Sequence, residues 1–87
     1  MTPTTIPDAA TIGARIVRDI PEVPRTLSLD EPFDHADIDS LVLAEAAVVA
    51  TREYGVLVHD WELRTAGTLR RAGELVHARL VAERPQA

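Results

Sequence analysis

With 87 residues, the chain has room for one domain with a small core. Hydrophobic residues make up 46% and charged residues 26%, which favours a folded chain over a disordered one. Aromatics are only 3%, so the core has to be aliphatic, as suits a small helical bundle. The net charge of −5 argues against nucleic acid as a partner, and the lack of cysteine excludes a disulfide framework, a thiolate zinc site and a cysteine nucleophile.

Met1-Thr2-Pro3-Thr4-Thr5 has no basic stretch and no apolar stretch, so a signal peptide is not expected. The first helix is expected from about Asp8 to Ile20. Asp8 can cap it, and Ile12, Ile16 and Ile20 recur every four residues beside Ala9 and Val17. Pro21 and Pro24 end it. A long loop follows, Glu22 to Asp39, with Leu27, Leu29 and Phe33 as its anchors to the core. Loops of this length are uncommon unless functional.

The second helix is expected from about Ser40 to Tyr54, with Gly55 as its stop. Leu41 to Ala50 is apolar nearly all round, broken only by Glu45, and far too short to span a bilayer. In so small a domain one side must meet solvent, so some of Leu41, Ala44, Val48 and Val49 are expected to be exposed. An exposed apolar patch often marks a partner site. A short third helix is expected around Asp60 to Arg64. Thr68 then caps the last helix, whose apolar face is Leu69, Ala72, Val76 and Leu80. Pro85 ends the ordered part. The expectation is an all-α fold, a small four-helix bundle with a long loop between helices 1 and 2. The single domain would cover residues 1–87, with an ordered core of about 8–82.

Charge is unevenly spread. Between Arg25 and Arg52 there is no basic residue, while Asp30, Glu31, Asp34, Asp37, Asp39 and Glu45 fall in that interval. From Arg64 onward arginine outnumbers acid. The surface around Ser40 is therefore expected to be negative and the last helix positive, which suits partners with basic docking surfaces. The bland alternative is a solvated acidic loop.

Ser40 sits where the acidic loop meets the apolar helix. The helix dipole places roughly half a positive charge there, and free backbone N–H groups at such an end can hold a phosphate. A serine here is well placed to become a phosphodiester attachment point. The ordinary alternative is an N-cap serine. For Asp37 and Asp39 the ordinary alternative is dipole compensation. His35, His59 and His77 are scattered, so no metal is expected. Asp37, Asp39 and Leu41 do not fit a calcium loop, and no glycine-flanked nucleophile elbow surrounds Ser40, so a hydrolase is not expected.

Ala36-Asp37-Ile38-Asp39-Ser40-Leu41 resembles the attachment motif of the acyl carrier protein family, small four-helix domains that carry 4′-phosphopantetheine. The family usually shows a leucine, a glycine, an apolar residue and then Asp-Ser-Leu. Leu29-Asp30-Glu31-Pro32-Phe33 looks like its acidic approach with a buried aromatic. Tyr54-Gly55-Val56 looks like the end of its second helix, and Gly67-Thr68-Leu69 like the cap of its last one. The likeness covers roughly residues 8 to 82. Asp37 replaces the family glycine, so the loop before Ser40 would turn differently. The second helix is also less acidic than in fatty-acid-type carriers, with Arg52, Val48 and Val49 beside Glu45 and Glu53.

The resemblance implies a carrier rather than an enzyme. Ser40 would take the phosphopantetheine arm, with Asp39 recognised by the transferase. The cargo would be an acyl thioester of a polyketide or related specialised pathway, such as antibiotic biosynthesis. Implied partners are a phosphopantetheinyl transferase, an acyl-loading ligase or acyltransferase, and a ketosynthase or other acyl-processing enzyme. They would dock on Leu41, Ala44, Glu45 and Val48. A cytoplasmic monomer without nucleic acid or membrane contact is expected. The alternatives are an aminoacyl or peptidyl carrier of the same fold, and an unmodified helical adaptor.

Overall fold

In the computed structural model, residues 5–83 are described. Pro85, with Met1–Thr4 of the leader reading and Arg84 of the basic tail, lies outside them. Four α-helices carry the fold: α1 Ala9–Arg15, α2 Ser40–Tyr54, α3 Asp60–Ala66 and α4 Leu69–Glu83. A 3-10 turn, Phe33–Ala36, sits inside the long loop. There is no strand among the described residues. The chain is the small four-helix bundle expected from its composition.

α1 begins where expected. The Asp8 side chain accepts from the Thr11 backbone N–H at 2.8 Å. The helix ends much earlier than the expected Ile20. From Arg15 the backbone tightens into i→i+3 bonds, Arg18 to Arg15 and Ile20 to Val17. Pro21 has no N–H to donate and its ring would clash with the Val17 carbonyl of a continuing α-helix. The apolar spacing still serves the core, because Ile16, Val17 and Ile20 are all buried.

α2 keeps its expected bounds, and Gly55 closes it in the left-handed conformation at φ 72°. α3 runs two residues past Arg64 to Ala66, stopped by Gly67 at φ 83°. Thr68 caps α4 by accepting from Arg71 N–H at 3.2 Å. Leu69, Ala72 and Val76 of α4 are buried, with Leu80 packed at the margin. α1 lies chiefly on α4, crossing it at Gly13 and Gly73, while α2 leans on α3.

The long loop is stitched to the α3–α4 junction. Phe33 N–H donates to Gly67 O, and Arg70 N–H donates to Leu29 O, both at 2.9 Å. The Arg70 guanidinium also grips Asp30 with two hydrogen bonds, at 2.7 and 3.1 Å. Phe33 is buried, and Leu27 and Leu29 pack against the core as anticipated. This stitching fixes where the chain enters α2.

Candidate functional site

Ser40 is the first residue of α2, and its side chain is exposed. It is not the cap. Asp39 takes that place in extended conformation, its Oδ1 accepting from Val42 N–H at 3.0 Å. The carboxylate thus satisfies one of the free amides at the helix start. The Ser40 hydroxyl is left without backbone duty. Asp39 therefore has a structural role that a transferase-recognition role would have to share.

The approach to Ser40 turns on Asp37, the single non-glycine residue with positive φ among those described, at φ 56° and ψ 35°. This is the left-handed region that a glycine would favour and that Asp tolerates better than most side chains. Asp37 thus adopts a conformation for which a glycine would be chosen.

The surface around Ser40, expected to be negative, also receives a basic side chain. Arg64, on the outer side of α3, donates from Nη2 to Ser40 Oγ. Arg70 forms an ion pair with Asp30. On α4, Arg79 is paired with Glu62, so that helix is less positive than its sequence suggests. The folded chain carries basic side chains of α3 and α4 back onto the acidic half.

α3 is a firm platform for Arg64. Leu63 beside it is 1% exposed. At the near end, His59 N–H donates to Glu62 Oε1 at 3.0 Å. Arg79 bridges to Glu62 with both terminal nitrogens and donates to Leu57 O at 2.7 Å. The Glu62 carboxyl is held down at about 2, first by Arg79 and then by the His59 amide. At the far end Gly67 is tied to Phe33.

Beyond Ser40 the surface is apolar. Leu41 is 78% exposed and Val48 54%. Ala44 and Val49 are half-buried, and Glu45 is exposed. Leu41, Ala44, Glu45 and Val48 follow the helical repeat and share one stripe of α2. An open groove separates this stripe from the α2–α3 connection, lined by Ala44, Val48, Leu57 and His59. The Thr51 hydroxyl holds that connection, donating to Ala47 O at 3.0 Å and accepting from Val58 N–H at 3.2 Å.

Sequence reading missed three residues here. In the sequence Arg64 reads only as part of a basic C-terminal stretch, and its meeting with Ser40 requires the α2–α3 packing. Leu57 and Trp61 are 64% and 61% exposed, and Trp61 stacks on His59 at 6.1 Å between ring centres. The signal for Trp61 was present, since a lone Trp in so short a helix has little core to enter. The three histidines lie on three different elements, the 3-10 turn, the α2–α3 connection and α4. Among the described residues no group of three His, Cys, Asp or Glu could hold a metal, and no helix is long and apolar enough to cross a membrane. The chain matches no family, no curated protein and no solved structure.

A 4′-phosphopantetheine group fits these residues. An exposed hydroxyl stands at the start of a long helix, a guanidinium lies within reach of it, and an apolar stripe leads away.

Proposed function

We propose that the chain is an acyl carrier protein holding acyl intermediates on a 4′-phosphopantetheine arm at Ser40, in a polyketide or related specialised pathway. The observation that carries this reading is the division of labour at the start of α2. Asp39 caps the helix, so the exposed Ser40 hydroxyl has no backbone group to satisfy and meets the Arg64 side chain instead. The ordinary explanation for a serine at a helix start does not apply to it.

When bound, the arm supplies a terminal thiol that holds cargo as a thioester. The part of this chain is to present, orient and tether. The Ser40 hydroxyl would be the acceptor of the group from coenzyme A: its oxygen would form the new bond to the pantetheine-side phosphorus, adenosine 3′,5′-bisphosphate would leave, and the hydroxyl proton would pass to a base of the transferase. Tethering then raises the cargo's effective concentration at a docked enzyme to about the millimolar range. Leu41, Ala44, Glu45 and Val48 supply the docking stripe, and its apolar character supports a dedicated pathway over fatty acid synthesis.

Incubation with coenzyme A, Mg²⁺ and a broad-specificity transferase should add one phosphopantetheine, about 340 Da, by intact mass. Ser40→Ala should add nothing while keeping its helical circular dichroism, because Asp39 still caps α2. No gain by the wild type, or labelling of Ser40→Ala, overturns the reading in favour of an unmodified adaptor.

A further inference from the structure

We propose that Arg64 is the resident counter-ion of the phosphodiester on Ser40, a positioning residue that holds the first bonds of the arm. This rests on the carrier reading above. Ser40 and Arg64 are 24 residues apart and sit on different helices, yet the guanidinium is directed onto the hydroxyl oxygen. Among the described residues Arg64 forms no ion pair, whereas Arg18, Arg70 and Arg79 each have a carboxylate partner. Its strongest hydrogen-bonding capacity is spent on a neutral hydroxyl.

A phosphate on that same oxygen would change the balance. Its non-bridging oxygens would stand one bond further out, within the sweep of an exposed arginine side chain. A guanidinium is planar, permanently charged and matched to two oxygens of a phosphate. The neighbouring charges make the need plain. Asp37 and Asp39 precede Ser40, and the whole chain already carries a net charge of −5. A new anion there meets like charges on one side, and Arg64 is the cation the fold brings to the other.

The platform keeps this cation in place. Leu63 anchors the middle of α3, Glu62 and Arg79 its start, and Gly67 its end. Modification would move Arg64 from the hydroxyl to the phosphate without moving the helix. Because it meets Ser40 Oγ, the same guanidinium would be at hand to offset the charge of the group transferred to that oxygen. It takes no proton and leaves none, since an arginine stays protonated at any working pH.

The test compares wild type, Arg64→Gln and Arg64→Lys, all loaded to completion as judged by intact mass. Both variants should fold, because Arg64 is exposed. At low salt the ³¹P resonance of the wild type should differ from that of Arg64→Gln, with Arg64→Lys between them. At about 1 M salt the wild-type resonance should move to the Arg64→Gln position. Arg64→Gln should also load with a KM for the carrier about tenfold higher, the loss expected for one charge-assisted hydrogen bond, and Arg64→Lys should recover part of it. Coincident resonances in fully loaded wild type and Arg64→Gln at low salt overturn the role of Arg64 and leave the carrier reading standing. A wild type that takes no arm at all overturns both.

Discussion

Gly13 and Gly73 let the backbones of α1 and α4 touch. A Cβ built on Gly73 would stand 1.9 Å from Ala9 O and 2.9 Å from Gly13 N, and one on Gly13 would stand 2.3 Å from Leu69 O. Backbone atoms cannot step aside for it. Gly→Ala inside an ordinary exposed helix gains about 1 kcal/mol. Here the sign should reverse. Gly73→Ala and Gly13→Ala should each cost about 1–3 kcal/mol in urea melts, as overpacking does. A gain from either would mean that the two helices lie further apart.

The start of α2 separates stability from function. Asp39→Ala should cost about 0.5–2 kcal/mol, the usual range for a lost N-cap. Thr68→Ala at α4 should fall in the same range. Ser40→Ala should stay within about 0.5 kcal/mol of wild type, as surface changes do. Thermal melts of the three variants check the order, and a large loss from Ser40→Ala would give the hydroxyl a structural duty.

Much of this frame was legible beforehand. α2 could be bounded because Ser40 follows an acidic loop and Gly55 is a glycine in the place of a left-handed stop. The face of α4 was readable because Leu69, Ala72 and Val76 repeat at helical spacing. The spacing overextends α1, since Ile20 still reaches the core from an i→i+3 turn closed on Val17 O. Spacing reports which side faces the core, not which carbonyl is bonded. The contact of Gly13 with Gly73, and of Arg64 with Ser40, depends on how distant segments pack. Local pattern carries no term for that, so Ser40 could be singled out from the sequence and the guanidinium that meets it could not.

The Tyr54 hydroxyl is buried with no hydrogen-bond partner among the described residues. A hydroxyl desolvated without compensation is a cost, and the ring still packs on the core. Tyr54→Phe should raise stability by about 1 kcal/mol in urea melts. A loss of that size would reveal a partner for the oxygen.

Glu62 makes stability depend on acid. Its carboxyl titrates near 4.5 when free and at about 2 when gripped by Arg79 and the His59 amide. The folded state therefore binds this proton more weakly than the unfolded one. The stabilisation is complete above about 4.5 and fades as the pH falls toward about 2. Arg79 is 32% exposed, so solvent screens part of the pair. Glu62→Gln should cost about 1–2 kcal/mol at neutral pH. The gap between the two proteins should close in melts run at progressively lower pH below 4.5. A gap that stays constant would assign the effect to shape rather than charge.

Docking should be led by apolar contact. Leu41→Ala and Val48→Ala should weaken turnover by a loading enzyme without unfolding the domain. Glu45→Arg should mainly slow association, and its effect should shrink as salt rises. The apolar changes should cost more, because the stripe carries one acid against two exposed aliphatic side chains. Steady-state kinetics at low and high ionic strength decide. Normal loading by both apolar variants with a crippled Glu45→Arg would make docking charge-led.

The stitching of the loop divides it into two segments of unequal tolerance to inserted chain. From Leu29 to Asp39 the backbone is keyed to Gly67 and Arg70, and one extra residue would throw Asp30 and Phe33 out of register and re-aim the entry to α2. From Glu22 to Ser28 the backbone ties are a few local turns; Val23 and Leu27 reach the core, while Arg25 and Thr26 are exposed. Doubling a flexible loop costs only about 0.6 kcal/mol in closure entropy. A peptide epitope spliced between Arg25 and Thr26 would leave the keyed segment in register, giving the domain a handle away from Ser40 and the start of α2.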